Sequence, residues 1–303
     1  MTAQSEPLIP NDVVRRRLRL EDRGVEIALQ DWGGDGPLAL LHHANGFCAG
    51  LWAQVAERLR DRFRVVAMDA RGHGDSSMPA EGPVAEAFDW TTMAGDVGAV
   101  AAELLSQSGD RQLGLGLGHS FGGTLMLAAE SARPGLCRKL VLVDPVVPPT
   151  AEMLAQIGWG DRPPLAEFAR RRRALWPSRD EARAHLGGKP LFASWTREAL
   201  DLYLGEGLRE REDGQVELKC SGEVEALIFE ASASLNLFEC ASSVAAPSLF
   251  LWARDGNFPR SVYEELSKKM TEARILDADA GHLIPMEAPD WVADRVLEFC
   301  SAP

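Results

Sequence analysis

Gly118-His119-Ser120-Phe121-Gly122-Gly123 carries more structural information than any other six residues of this chain. An apolar run, Leu113 to Leu117, precedes it, and a helix-like run, Thr124 to Ala132, follows. A serine in G-x-S-x-G between a strand and a helix has the pattern of a nucleophile elbow. The serine must sit on a sharp, strained turn, where side chains at positions 118 and 122 would collide with the neighbouring strand and helix. The turn lifts the Ser120 hydroxyl out at the top of a sheet and aims the following backbone N–H groups at its substrate.

Outward from that point, apolar runs alternate with helical spacing. Arg15–Leu20 and Val25–Gln30 read as two paired strands joined by Asp22-Arg23-Gly24. Leu38–Leu41, Phe63–Met68 and Lys139–Val143 are further short runs, separated by helical patterns at Leu51–Arg60 and Trp90–Leu105. This order implies an α/β fold, a mostly parallel sheet with helices on both faces. From about Pro148 to Ser234 the rhythm becomes helical and charged, without β-like runs. Strand-like runs return at Pro247–Trp252 and Arg274–Leu276, followed by a last helix near Pro289–Phe299. The organisation expected is a core of residues 1–147 and 236–303 with a helical cap inserted at 148–235.

At 303 residues the chain can bury one large core plus an insertion. Its 46% hydrophobic and 25% charged residues are ordinary for a globular protein. The formal charge of −13 argues against nucleic acid and anionic membranes as partners. The five scattered cysteines form neither a disulfide framework nor a metal-ligand pattern, which fits reduced thiols in a cytoplasmic protein. No signal-like or membrane-spanning apolar stretch is present. The Arg170–Arg173 run reads as a solvated helix face rather than an anion site.

A serine hydroxyl needs a histidine base, and that histidine needs a carboxylate to hold its tautomer. Of six histidines, His282 stands in the loop Ala280-Gly281-His282-Leu283, after the last strand-like run and before the final helix. Loops there open at the carboxyl edge of the sheet, beside the elbow. His119 adjoins the serine in sequence but points to the other side of the turn.

With these residues in view, the chain resembles the α/β-hydrolase superfamily, in its branch with a helical cap, from about Val25 to Phe299. Asn45-Gly46-Phe47 is similar to the family's His-Gly-X oxyanion loop, with Asn in place of His. Asp69-Ala70-Arg71-Gly72-His73-Gly74-Asp75-Ser76 is similar to its D-x-R-G-x-G-x-S turn, and the segment Gly281–Pro289 to its Gly-His-(x)4-Glu-x-Pro segment. The resemblance implies oxyanion donors at the N–H groups of Phe121 and Phe47. It leaves the acid open. The usual G-x-x-D-x-x-x-P pattern falls ambiguously on Trp252–Pro259, reaching Gly256 by one count and Asp255 by the other. A second family solution places the acid after the strand that follows the elbow helix, at Asp144. Asp144 is preferred, with Asp255 as the alternative.

The serine implies acyl transfer on a small, apolar ester, thioester or lactone, without metal or other cofactor. An acyltransferase or thioesterase-cyclase, a carbon–carbon bond hydrolase and a non-catalytic binding protein are the alternatives. Asn45, Gly46, His119, Trp159 and Trp195 are the residues expected to line the substrate pocket.

Overall fold

The computed structural model describes residues 7–80, 84–148 and 165–301. Its main sheet holds eight strands in the order β1-β2-β4-β3-β5-β6-β10-β11. These are β1 (Val14–Leu20), β2 (Val25–Gly33), β3 (Leu38–His42), β4 (Arg64–Met68), β5 (Leu115–His119), β6 (Leu140–Val143), β10 (Ser248–Asp255) and β11 (Ala273–Gly281). β1 and β2 run antiparallel to their neighbours, and every pairing from β4 to β11 is parallel. The central strands are buried on both faces, which is why they read as continuous apolar runs rather than alternating ones.

Helices cover both faces. Trp90–Ser108 begins where Asp89 accepts the N–H groups of Thr91 and Thr92, and it ends at Gly109, in the left-handed region at φ 78°. Its buried residues Trp90, Met93, Ala94, Val97, Val100, Ala101 and Leu104 recur at three- and four-residue spacing. They pack with the nearly wholly buried helix Phe121–Ala132 on one face of the sheet. The helices Ala53–Leu59 and Pro289–Ser301 cover the other. Each fully buried Leu or Val in these layers contributes on the order of 1.5–3 kcal/mol.

The chain leaves this sheet after β6 and returns at β10. Between them lie the helices Leu165–Arg171, Arg179–Gly187, Arg197–Glu206 and Gly222–Glu230. One expectation is corrected here. The segment also contains a three-stranded antiparallel sheet in the order β7-β9-β8, built from β7 (Leu175–Trp176), β8 (Leu208–Glu210) and β9 (Val216–Leu218). Strands of two or three residues are too short for alternation to register in sequence. The β8–β9 hairpin is permitted by Gly214 at φ 79°. Similarly, the short run at Arg274–Leu276 extends to Gly281 as a half-exposed edge strand, because Asp277 and Asp279 interrupt its apolar pattern.

The insertion is pinned to the sheet domain by polar contacts. Glu206 takes a forked pair of hydrogen bonds from Arg15, at 2.7 and 2.8 Å, and a third from Gln30. Lys219 pairs with Asp75 at 2.7 Å, and the Thr196 N–H reaches the Met286 carbonyl at 2.9 Å. No helix among the described residues is long and apolar enough to cross a membrane.

Candidate active site

Ser120 lies at the β5–helix junction with φ 54° and ψ −125°, a conformation costly for any residue but glycine. The turn is possible because its flanks are bare. A Cβ on Gly118 would stand 2.4 Å from the Gly122 carbonyl oxygen, and one on Gly122 would stand 2.4 Å from that of His43. The other non-glycine residue with positive φ among those described is Asp144, at 38°, just beyond the end of β6.

These two strained residues meet at His282. Its Nε2 is 2.8 Å from Ser120 Oγ, and its Nδ1 is 2.6 Å from Asp144 Oδ2. Three strands deliver the groups to one edge: β5 carries the serine, its neighbour β6 the aspartate and β11, one strand further across β10, the histidine. Asp144 is wholly buried, and its Oδ1 is also held by the Ala253 N–H at 3.1 Å and the Tyr263 hydroxyl at 3.1 Å. A carboxylate so held accepts the Nδ1 proton and leaves the bare Nε2 facing the serine.

Asp255, the alternative acid, does not enter this arrangement. It is exposed at the end of β10, and the His282 Nδ1 proton goes to Asp144 instead. The position reached by the other count is Gly256, where an added Cβ would lie 2.8 Å from Asp144 Oδ2. The carboxylate therefore fills space that a side chain at position 256 would need.

The loop after β3 differs from the expectation in one donor. The Phe47 N–H is turned onto the Ala44 carbonyl at 3.2 Å, closing a four-residue turn that places Gly46 at φ 79°. The Gly46 N–H is bound to His73 Nε2 at 3.0 Å. That leaves the Asn45 N–H without a protein acceptor among the described residues. The Phe121 N–H, at the first position of its helix, is free of one in the same sense. The Asn45 side chain is committed elsewhere, its Nδ2 donating to the Glu225 carbonyl at 2.9 Å.

His119 is buried, and its Nε2–H donates to the His282 carbonyl at 2.9 Å, so it braces the loop that carries the base. Burial holds its imidazole neutral, with a pKa pushed down to about 3. It also walls a small cavity with Ala44, Phe47, Trp52 and Met286. Trp195 packs on Phe47 with ring centroids 5.5 Å apart, inside an aromatic cluster with Phe192 and Tyr203. Trp159 lies outside the described residues.

The arginine run divides. Arg170 forks onto Glu223 and Glu230, and Arg171 pairs with Glu167, all at the surface. Arg172 instead turns inward to Glu225 at 2.7 Å and to the Cys220 carbonyl at 3.0 Å. A run of four like residues gives no sign of which one faces inward, because partners distant in sequence decide it, here Glu225 and the Cys220 carbonyl.

The profile of the alpha/beta hydrolase family matches residues 39–295. The abhydrolase domain-containing protein AFT2-1 of Alternaria alternata is 26% identical over 223 residues, spanning 61% of this chain and 82% of that protein. The bifunctional esterase/perhydrolase DCH of Acinetobacter calcoaceticus is 39% identical over 102 residues, a third (33%) of each chain. Among solved structures, E-2-(acetamidomethylene)succinate hydrolase superposes with a TM-score of 0.79 at 20% identity, covering 96% of this chain and 100% of that one. At that identity the likeness is one of fold. The family profile takes in every strand from β3 to β11, together with the elbow and the His282 loop, and the chain belongs to the alpha/beta hydrolase family, whose members are hydrolases.

Proposed function

We propose that this protein is a serine hydrolase that cleaves a carboxylic ester, thioester or lactone of a small, apolar substrate through an acyl-enzyme on Ser120. The observation that carries the reading is the unbroken contact from Ser120 Oγ through His282 to Asp144, at 2.8 and 2.6 Å.

In this reading His282 Nε2 takes the Ser120 proton as Oγ attacks the substrate carbonyl carbon. The developing oxyanion is met by the N–H groups of Phe121 and Asn45, each such donor being worth on the order of 3 kcal/mol. Asp144 stabilises the imidazolium that forms. Collapse of the tetrahedral intermediate breaks the bond to the alcohol, thiol or lactone oxygen, and His282 returns the proton to that leaving group. Water, deprotonated by the same nitrogen, then releases the acid and restores Ser120. An apolar substrate is supported by the small cavity that His119 and His43 wall beside the elbow, whose other lining residues are Ala44, Phe47, Leu51, Trp52, Pro285 and Met286.

The test is intact-mass labelling by a fluorophosphonate, with Ser120→Ala as control, followed by a screen of p-nitrophenyl esters, thioesters and lactones. One label per chain, lost in the variant, together with turnover of at least one class, is expected. A folded protein that takes no label would overturn the reading.

A further inference from the structure

We propose that His73 is the positioning residue of the oxyanion loop: its Nε2 grips the Gly46 N–H and thereby aims the neighbouring Asn45 N–H at the reacting carbonyl. The proposal rests on the reading of Ser120 as a nucleophile.

His73 is wholly buried in the turn of residues 69–76. Its Nδ1 is 3.0 Å from the Arg71 carbonyl. A carbonyl can only accept, so Nδ1 carries the ring proton and Nε2 presents a bare lone pair. The Gly46 N–H fills that lone pair at 3.0 Å. Asn45 Oδ1, 3.2 Å from the same nitrogen, is itself an acceptor and adds no bond. Burial keeps the ring neutral, with its pKa pushed down to about 4, so the acceptor persists across the neutral range.

The turn that holds His73 is rigid. The Arg71 guanidinium forks onto Asp96 at 2.6 and 2.7 Å, both residues buried, and reaches the Ala87 carbonyl at 2.9 Å. The same turn touches the oxyanion loop on either side of Gly46. Before it, His43 Nε2 accepts the Ala70 N–H at 2.9 Å. After it, Asp69 Oδ1 accepts the Ala49 N–H at 2.7 Å. His73 supplies the grip in the middle, on the peptide that joins Asn45 to Gly46. From the insertion side, Glu225 closes over the loop: its carbonyl takes Asn45 Nδ2, and a Cβ on Gly46 would meet its Oε1 at 2.8 Å. The Asn45 N–H belongs to the preceding 44–45 peptide, whose carbonyl accepts the Phe47 N–H, so residues 44–47 move as one turn. With the His73 acceptor gone, that turn loses its anchor to residues 69–76 at its middle, and its displacement carries the Asn45 N–H off the line on which it meets the oxyanion.

Two conservative variants separate the two ring nitrogens. In His73→Gln the side-chain oxygen falls near the place of Nε2, whereas in His73→Asn the amide falls near that of Nδ1. With p-nitrophenyl butyrate as probe, His73→Asn is expected to lower kcat by roughly 10- to 100-fold with KM nearly unchanged. His73→Gln is expected to recover most of that loss, and thermal melts of both variants establish that they are folded. Equal kcat in the two folded variants, or a loss carried by KM, overturns the proposal. Amide exchange of Gly46 provides a readout independent of turnover. Faster exchange in the Asn variant than in the Gln variant supports the contact, and equal rates overturn it. Failure of the wild-type protein to take the fluorophosphonate label would instead sink the serine-hydrolase reading, leaving the exchange result to decide the role of His73 by itself.

Discussion

Asp144 and Gly256 share one space: the Asp144 carboxylate lies where a side chain on Gly256 would project, 2.8 Å from the position of its Cβ. The two residues follow the ends of β6 and β10, neighbouring strands that each offer a site for an acid beside His282. An acid on one strand therefore requires a small residue on the other. Gly256→Ala should push the Asp144 carboxylate off the His282 Nδ1–H, because Ala253 Cβ and its carbonyl oxygen close the other side at 2.8 and 2.9 Å. The expected result is a fall in kcat of about tenfold or more together with a lowered melting temperature, because the added Cβ also meets the Ala253 backbone oxygen. Unchanged kcat in a folded Gly256→Ala variant would show that the carboxylate has room to yield.

Asp144→Asn and Asp255→Asn should behave oppositely. The first leaves an amide beside Nδ1 and favours the wrong tautomer, which should reduce kcat on the order of 10⁴-fold. The second alters an exposed carboxylate and should leave kcat near wild type. Steady-state hydrolysis of one p-nitrophenyl ester by both proteins is sufficient, and a large loss in Asp255→Asn would contradict the geometry.

Trp195 joins the insertion to the loop after β3 through its contact with Phe47. Trp195→Ala should cost about 3 kcal/mol or more, since the ring is more than nine-tenths buried and the aromatic cluster cannot close the gap. A urea midpoint equal to that of the wild type would show that the cluster relaxes around the loss.

Acid should destabilise the protein. Burial lowers the pKa of His42 and His73 to about 4 and of His119 to about 3, and holds His43 well below its ordinary value. Between pH 6.5 and 4 the unfolded chain takes up protons on these imidazoles while the folded chain does not. Stability present above pH 6.5 is thus lost as the pH falls, by roughly 1.4 kcal/mol per pH unit for each such proton. Asp69, raised to about 6 by burial, and Glu225, also raised by burial, act in the opposite sense but are two groups against four. The urea midpoint at pH 5 should lie clearly below that at pH 7. An equal or higher midpoint at pH 5 would mean that these imidazoles are charged in the native state.

Ser120 and the doubly wound sheet were legible in the chain because the physics behind them is local. A strained strand-to-helix turn needs glycine within two residues of the serine, and doubly buried strands must be apolar along their whole length. His282 was legible for a related reason, since the loop after the last strand has to open at the same edge as the elbow. The partner of His282 was legible only as a choice between Asp144, preferred, and Asp255. It depends on which of two strand ends, more than a hundred residues apart in the chain, yields space to the other, and no spacing rule carries that information. The loop after β3 shows the same division. Asn45-Gly46-Phe47 announced a loop, but the Phe47 N–H goes to the Ala44 carbonyl and the Gly46 N–H to His73 on a different turn, so that Asn45 rather than Phe47 is left with an amide that has no acceptor among the described residues. The two- and three-residue strands at 175–218 and the inward turn of Arg172 were equally silent, because each owes its conformation to partners distant in sequence. Backbone strain and apolar burial are written into consecutive residues, whereas competition for one volume or one proton exists only once the strands have been brought side by side.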